Sequence, residues 1–494
     1  MKKEIGLLLH ISSLPNDYTI GTMGKECYKL IDILSENGIN IWQILPINPT
    51  EKDHSPYSSV CSFAGNISFI DFEEFYLNDL ITKEELNSLK NKENIFEDQD
   101  SLKKKQNLLK KIYKQMPLTN EFEEFITLNK FWLDDYALFL TLQDRLDEKY
   151  FYNWPFAIAN KDMNDELIIN IIEENSQLTY HKFTQFIFFK QYMKLKNYAN
   201  EKGVKIFGDI PIYVSKNSSD VWGDQDIFLL DEDKQPKLKA GVPPDYFSEI
   251  GQTWGNPVYD WENNKENVLS WWIKRIKYSL NLFDLVRIDH FRGLESFWVI
   301  PKEDETAVNG WWQKCYGDEL FQKLKENIGE DLPIIAEDLG EITPEVNELR
   351  EKYKLPGMKI LAFAYDENED NPYLPKNCEE NSVSYIGTHD NNTLIGWKNE
   401  IIKRDDENEI KRILSALKID SLDEFEKSVI KTLLNTKSKI SVISIQDILF
   451  LDENYRMNIP GIAKGNWTYR MKIEELENGN DKLMIINNIK NEKI

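Results

Sequence analysis

Short apolar runs recur along the chain, and most of them end at a polar residue. The first, residues 6–9, ends at His10, and residues 205–208 end at Asp209. Apolar runs of about four to eight residues are typical of strands buried on both faces. The segments that fit are residues 6–9, 41–45, 205–208, 284–288, 333–336, 358–363, 382–387 and 441–445. The pattern therefore predicts eight strands.

Helical patterns lie between these runs. Cys27, Leu30, Ile31 and Leu34 have the i, i+3, i+4, i+7 spacing of one helix face. Thr343 followed by a proline has the N-cap and first-position residues of a helix start. Strands that alternate with helices predict an α/β fold, namely a parallel (β/α)8 TIM barrel. A doubly wound open sheet is the alternative that the pattern leaves open.

Two segments between predicted strands are too long for simple crossovers. Residues 72–178, between the second and third strands, are rich in Glu, Lys, Asn and Leu, which predicts a mostly helical insertion subdomain. Residues 211–262, between the third and fourth strands, are rich in Gly, Pro and Trp, which predicts a lid or rim. We expect one catalytic barrel domain over residues 1–494, elaborated by these insertions.

Composition limits the kinds of partner and substrate that the protein is expected to bind. The formal net charge of −24 disfavours nucleic acid and anionic membrane surfaces, which attract basic proteins. No apolar run is long enough for a membrane span, and the start of the chain lacks a secretory signal pattern. Four cysteines without a C-x-x-C pair predict reduced thiols. We therefore expect a cytoplasmic protein with a neutral substrate.

Three carboxylates at or just after the ends of predicted strands are the candidate chemistry: Asp289, Glu337 and Asp390. The carboxyl ends of barrel strands converge on one face, so these side chains can meet one substrate. Two carboxylates about 5 Å apart suit a retaining glycosidic displacement, one as nucleophile and one as acid/base. Arg287 lies two residues before Asp289, on the same side of the strand, where a guanidinium favours an ionised carboxylate.

Other interpretations of these residues stay open. Arg287 and Asp289 also fit a purely structural ion pair, and strand-end carboxylates hold magnesium in some barrel enzymes. The imidazoles of His290 and His389 weigh against a metal, because they surround the carboxylates with hydrogen-bond donors. The chain has no G-x-S-x-G, Walker A or G-x-G-x-x-G segment, so no serine hydrolase or nucleotide site is predicted.

Residues 240–257 form a segment rich in glycine, proline and aromatic residues. Its composition predicts an irregular loop. Tyr246, Phe247 and Trp254 would be costly to leave exposed unless they meet a ligand or pack on the barrel. We interpret the segment as a lid over a sugar chain, with a packed surface loop as the alternative.

The motifs that contain the three carboxylates resemble those of the 4-alpha-glucanotransferases, the amylomaltases or disproportionating enzymes of glycoside hydrolase family 77. The resemblance rests first on residues 287–293 (RIDHFRG), 336–340 (AEDLG) and 387–391 (GTHDN). Further matching segments are residues 10–15, 42–46, 55–57, 208–214, 241–257, 446–447, 456–461 and 465–467. Residues 50–54 and 66–68 depart from the family pattern, which affects the rim near Tyr57 rather than the carboxylates.

The resemblance implies an alpha-amylase-type barrel that acts on α-1,4-glucans and maltooligosaccharides without a cofactor or metal. By position, Asp289 would be the nucleophile, Glu337 the acid/base and Asp390 the transition-state stabiliser. The implied substrate-binding residues are Tyr57, Asp209, Trp254, Asn256, Arg287, Asp366 and His389. The reaction implied is transfer of a glucan segment to the 4-hydroxyl of an acceptor glucan or glucose.

Two rival functions stay open. A glucan hydrolase would use the same three carboxylates. A non-catalytic glucan-binding or scaffold protein is the other, and the presence of all three carboxylates argues against it. For assembly, we expect a monomer or a weak homodimer.

Overall fold

The computed structural model describes residues 3–91, 98–244, 248–462 and 464–491. Its strands are β1 (Glu4–Leu8), β2 (Ile41–Gln43), β3 (Lys205–Ile210), β4 (Leu238–Val242), β5 (Gln252–Pro257), β6 (Leu285–Ile288), β7 (Ser296–Pro301), β8 (Trp311–Lys314), β9 (Ile334–Ala336), β10 (Gly357–Ile360), β11 (Ser382–Tyr385) and β12 (Ile440–Ser444).

The α-helices lie between and after these strands. They are α1 (Lys25–Glu36), α2 (Glu73–Leu77), α3 (Lys83–Ser88), α4 (Gln99–Gln115), α5 (Asn120–Leu146), α6 (Phe156–Ala159), α7 (Glu166–Glu174), α8 (Ser176–Glu201), α9 (Ser219–Gly223), α10 (Lys265–Leu282), α11 (Gly317–Ile328), α12 (Pro344–Lys352), α13 (Leu394–Arg404), α14 (Glu407–Leu417), α15 (Phe425–Asn435), α16 (Ile445–Ile448), α17 (Ile473–Glu477) and α18 (Gly479–Asn491).

Eight parallel strands form the central sheet, in the order β10-β11-β12-β1-β2-β3-β6-β9. The two end strands also meet, because the backbone N–H of Ala336 donates to the carbonyl of Pro356 at 2.9 Å. The sheet is therefore a barrel, and each of the eight strands coincides with a predicted apolar run. The predicted TIM barrel is confirmed, and the open doubly wound sheet is excluded.

A close approach on β3 depends on a glycine. A Cβ atom on Gly208 would lie 2.3 Å from the ring of Phe283, which precedes the neighbouring strand β6. The packing of β3 therefore tolerates no side chain at this position. The neighbouring residues Asp209 and Arg287 are register partners, so their side chains share one row of the barrel.

A second sheet lies outside the barrel, which the sequence did not predict. It is antiparallel, with the order β5-β4-β7-β8. Here the prediction of an irregular loop over residues 240–257 was wrong, because β4 and β5 pair with each other and β4 also pairs with β7. Gly251, with φ of +64°, lies in the turn between β4 and β5. The glycines of this segment therefore belong to a β-hairpin, and its strand β4 pairs with β7, which lies far along the chain.

Residues 72–178 contain α2 to α7 and the start of α8, which agrees with the mostly helical content predicted for this segment. The long helices α5 and α8 pack along each other through buried aromatic side chains such as Phe122 and Phe183. Among the described residues, no helix combines the length and the apolar character needed to cross a membrane.

Candidate active site

The candidate catalytic residues lie where barrel strands end. Asp289 directly follows β6, Glu337 directly follows β9, and Asp390 lies five residues after β11. Backbone hydrogen bonds fix the first two, since the N–H of Asp289 donates to Ile210 and the N–H of Glu337 donates to Ile288, at 3.0 and 3.1 Å. The strand ends therefore hold these side chains on one rim.

Arg287 joins two of the predicted carboxylates. Its Nη1 lies 2.6 Å from Oδ2 of Asp209, and its Nη2 lies 2.7 Å from Oδ1 of Asp289. The Asp209 and Arg287 side chains are 0% and 4% exposed, whereas that of Asp289 is 28% exposed. Tyr57 donates its hydroxyl proton to Asp209 at 2.7 Å. The arginine thus orients an accessible carboxylate while a buried partner holds the arginine.

Glu337 has the surroundings of a proton donor. Its carboxylate accepts the backbone N–H of His290 at 2.7 Å and that of Leu339 at 3.0 Å. Burial raises the pKa of Glu337 to about 8, the charge of Asp289 also raises it, and Arg287 opposes the shift. Because His290 directly follows Asp289, the hydrogen bond to its N–H holds the Glu337 carboxyl close to the backbone at Asp289. One carboxyl is therefore held protonated near neutral pH beside an oriented carboxylate.

Asp390 is held by residues to which the sequence assigned no role. Asn458 donates its amide N–H to Oδ1 of Asp390 at 2.6 Å, and Arg456 donates to the Asp390 carbonyl at 3.0 Å. His389 Nε2 lies 3.3 Å from Oδ2 of the same carboxylate. Asn458 and Arg456 belong to the matching segment 456–461, so their presence in a family motif was the available signal.

An aromatic cluster connects Asp390 with the Arg287 network. The Tyr57 ring stacks on His389, with centroids 5.3 Å apart and planes 13° apart. Trp467 packs against both rings, at 5.8 Å from Tyr57 and 5.9 Å from His389. Through this cluster, side chains from widely separated segments come together next to Asp390 and Asp209. Trp467 is a further site residue that the sequence placed in a motif but gave no role.

Two histidines of the site are held neutral. Burial lowers the pKa of His10 to about 3 and that of His290 to about 4. His10 accepts the backbone N–H of Leu45 at Nδ1, at 3.2 Å. His290 has a φ of 49°, and its ring meets Trp254 edge to face at 5.1 Å. Neutral imidazoles of this kind suit hydrogen bonds to sugar hydroxyls.

The remaining predicted binding residues lie at the rim. Trp254 is 38% exposed on β5. Asn256 donates its amide N–H to the carbonyl of Val214 at 2.7 Å, so it ties β5 to the segment after β3. Asp366 is exposed on the wall of a neighbouring cavity. Tyr246 and Phe247, predicted for the lid, lie outside the described residues.

The electrostatics of the cleft bear on the magnesium alternative. Arg287 lies between Asp209 and Asp289 and pairs with both, so a cation that bridged these two carboxylates would have to displace it. Within the part of the chain that the structure describes, no three His, Cys, Asp or Glu side chains converge as metal ligands. The carboxylates are arranged for charge and proton chemistry with an arginine as the resident cation.

Comparison with known proteins gives concordant matches. Residues 9–475 match the family described as 4-alpha-glucanotransferase. The chain is 42% identical over 471 residues to a 4-alpha-glucanotransferase of Aquifex aeolicus, covering 94% of this chain and 95% of that one. It is 42% identical over 474 residues to one of Clostridium butyricum, again covering 94% and 95%.

Solved structures match the whole fold. The amylomaltase of Streptococcus agalactiae, in complex with acarbose, superposes with a TM-score of 0.92 at 36% identity, and each chain is covered to 99%. The amylomaltase of Corynebacterium glutamicum superposes with a TM-score of 0.80 at 17% identity, covering 99% of this chain and 75% of that one. At that identity the second match supports the fold alone.

Proposed function

The chain belongs to the 4-alpha-glucanotransferases, and from that premise we propose that Asp289, Glu337 and Asp390 carry out its transfer reaction by a retaining double displacement. The enzyme moves a segment of an α-1,4-glucan to the 4-hydroxyl of an acceptor glucan or glucose. Asp289 attacks the anomeric carbon while Glu337 donates its proton to the departing 4-oxygen, which leaves a glycosyl ester on Asp289.

In the second half, the acceptor 4-hydroxyl displaces Asp289. The Glu337 carboxylate, now ionised, takes the proton from that hydroxyl, and the ester bond to Asp289 breaks as the new glycosidic bond forms. Two inversions restore the α configuration. Asp390, oriented by Asn458, would stabilise the positive charge that develops on the sugar ring in both transition states.

One observation carries this assignment of roles. Arg287 orients Asp289, while Glu337 is held by the backbone N–H of the next residue, His290, and has a pKa raised to about 8. A carboxyl that can donate a proton is thereby held next to the turn that carries the oriented Asp289, as an acid/base and a nucleophile require.

Rim and lid residues would supply sugar contacts in this proposal. Tyr57 would contact the sugar at the cleavage site, and Asp209, Arg287 and His389, whose side chains are 0%, 4% and 5% exposed, would support that contact from behind. Trp254, Asn256 and Asp366 would contact neighbouring sugars. Transfer exceeds hydrolysis when the closed cleft admits a sugar and excludes water, which residues 211–262 would help to achieve.

Maltotriose is the test of the reaction. A transferase releases glucose and builds a ladder of longer maltooligosaccharides, whereas a hydrolase gives short products without a ladder. Asp289→Asn should abolish turnover and retain glucan affinity, because the amide keeps the shape of the carboxylate but cannot form the ester. Full activity in Asp289→Asn would overturn the nucleophile assignment, and loss of glucan binding would point to a structural role.

The proposal also covers the partners, the location, the assembly state and the domain organisation of the protein. The partners are α-1,4-glucans and maltooligosaccharides, with no cofactor, nucleic acid or membrane, and the protein works in the cytoplasm as a monomer or weak homodimer. Residues 72–178 and 211–262 are insertions in a single catalytic domain of residues 1–494. Sedimentation at several concentrations tests the assembly state.

A further inference from the structure

A cavity of about 400 Å³ lies between the helical insertion and the barrel. Its walls come from α5 of the insertion, from α9, from the barrel helix α10 and from Cys61 and Phe63. We call it the insertion cavity. Its volume is within the range of about 300–1,000 Å³ that is typical of small-molecule sites. None of its lining residues is a catalytic or sugar-binding residue of the proposed reaction, so the cavity needs an explanation of its own.

Buried aromatic side chains form the floor of the insertion cavity, namely Phe63, Trp132, Trp222 and Trp271. The Phe63 ring stacks with Trp132, with centroids 6.4 Å and planes 18° apart, and meets Trp271 edge to face at 6.0 Å. The faces of such rings carry partial negative charge, so they attract cations as well as apolar groups. This aromatic floor therefore suits a ligand that is both apolar and positively charged.

The chain itself places one ammonium group in this cavity. The Nζ of Lys161 donates to the Asp135 carboxylate at 2.8 Å and to the carbonyl of Gly223 at 2.9 Å. The same nitrogen lies 5.6 Å from the centroid of the Trp222 ring, a distance at which a cation is attracted to the ring face. The walls thus already hold a primary ammonium group between a carboxylate, a carbonyl oxygen and an aromatic ring.

A second carboxylate in the walls lacks such a cation. Asp220 is only 5% exposed and lines the cavity. Among the described residues, Ser62 alone hydrogen-bonds to this carboxylate, with its N–H at 2.7 Å, and no cationic side chain forms an ion pair with it. Burial raises the pKa of Asp220 to about 6, Arg275 opposes the shift from beyond ion-pair distance, and the charge of Asp224 adds to it. A buried carboxylate without a cation is costly unless a ligand supplies one.

The lining of the insertion cavity carries an excess of negative charge. Its carboxylates outnumber its ammonium groups by two, and the charged lining residues are Asp135, Asp220, Asp224 and Asp226 against Lys161 and Lys274. Burial and the charges of Asp135 and Asp226 raise the pKa of Asp224, while the two lysines oppose the shift. Within the described part of the chain, no three of the carboxylates converge as ligands of a metal ion. The lining therefore matches an extended organic cation with two positive charges.

We propose that the insertion cavity binds a small aliphatic diamine, whose ammonium groups pair with Asp220, Asp224 and Asp226 and whose methylene chain lies against the aromatic floor. A neutral sugar is a poorer match, because it would leave the buried Asp220 carboxylate without a cation. The inference stands apart from the proposed transfer reaction, because no catalytic residue takes part in the binding of the diamine.

The test is a calorimetric titration of the full chain with 1,4-diaminobutane at about pH 8, where the amine is protonated and Asp220 is ionised. The control ligand is 1,4-butanediol, which has the same length and no charge. The titration is repeated with Asp220→Asn and Asp224→Asn, which keep the shape of each side chain. Asp100→Asn is the matched control, because Asp100 is 75% exposed on α4 and does not line the cavity. Thermal midpoints check that each variant is folded.

We expect one diamine per chain, with a Kd that rises about tenfold or more in Asp220→Asn. The rise should be roughly threefold in Asp224→Asn, because that residue is more exposed. Asp100→Asn should match wild type, and the diol should not bind. An unchanged Kd in both folded cavity variants would overturn the proposal. An equal rise in Asp100→Asn would also overturn it, because that result indicates attraction to the acidic surface as a whole.

A structural measurement covers the case in which Asp220→Asn does not fold. In wild-type crystals soaked with 1,4-diaminobutane, the amine should lie over the aromatic floor with its nitrogen atoms beside Asp220 and Asp224. A diamine found only outside the cavity, at a concentration that saturates the titration, would overturn the proposal. Maltotriose provides a last comparison, since it should leave the Kd of the diamine unchanged. Competition between the two ligands would overturn the proposal and indicate a sugar site instead.

Discussion

Removing the guanidinium of Arg287 should destabilise the barrel and disable the nucleophile together. In Arg287→Met, the fully buried Asp209 carboxylate loses its ion-pair partner, and the Tyr57 hydroxyl is the one side-chain donor that remains to it among the described residues. Breaking a buried ion pair from one side costs about 3–5 kcal/mol, because an uncompensated charge stays in the interior. Asp289 also loses its 2.7 Å bond to the guanidinium. A charge-assisted hydrogen bond contributes about 1.5–3 kcal/mol, so kcat/KM should fall roughly ten- to a hundredfold.

The second variant, Arg287→Met with Asp209→Asn, separates the two effects. Neutralising Asp209 removes the buried charge, so the double variant should unfold at a higher temperature than Arg287→Met alone. Its activity should stay low, because nothing restores the orientation of Asp289. The measurements are thermal unfolding followed by tryptophan fluorescence, and glucose release from maltotriose.

An exposed ion pair supplies the control. Lys411 and Glu407 are 70% and 82% exposed and lie 3.0 Å apart on α14. Lys411→Met should leave the midpoint of unfolding near wild type, since exposed pairs contribute about 0–1 kcal/mol. If Arg287→Met were as stable as Lys411→Met, or if Asp209→Asn lowered stability further instead of restoring it, the reasoning about the buried charge would be refuted.

Three further predictions concern the acid/base, the Asp390 support and the barrel packing. With maltotriose, kcat/KM should fall as pH rises through about 8, because Glu337 must be protonated to donate and its pKa is raised to that value. The fall should be weaker with α-maltosyl fluoride, whose leaving group needs no proton. If kcat/KM for maltotriose already fell as pH rose through about 5, the assignment would be contradicted. Asn458→Ala removes the 2.6 Å hydrogen bond to Asp390 and should lower kcat about tenfold with little change in the unfolding midpoint. An unchanged pre-steady-state rate would show that Asp390 does not need this hydrogen bond. Gly208→Ala places a Cβ 2.3 Å from the Phe283 ring and should lower the free energy of unfolding by about 1–3 kcal/mol. The unfolding midpoint measures this loss, and a wild-type midpoint would mean that the ring moves away freely.

Local sequence pattern determined the barrel and the position of its chemistry. Each of the eight apolar runs is a strand, because strands buried on both faces need continuous apolar sequence. The carboxylates Asp289 and Glu337 directly follow two of these strands, so their place on the rim followed from chain order and the parallel arrangement alone. The proximity of Arg287 to Asp289 also followed, from the two-residue period of a strand.

Tertiary structure decided what depends on partners far apart in sequence. The second sheet forms because β4 pairs with both β5 and the distant strand β7, which no local pattern encodes, and the glycines of this segment predicted a loop instead. The bond between Arg287 and Asp209 comes from the register of β3 against β6, and the bond between Asn458 and Asp390 from a segment 68 residues away. The raised pKa of Glu337 likewise requires burial, which only the closed barrel provides. Sequence determines which elements form. Long-range contacts determine how the side chains of the site are oriented and charged, because these contacts exist only when the whole chain is folded.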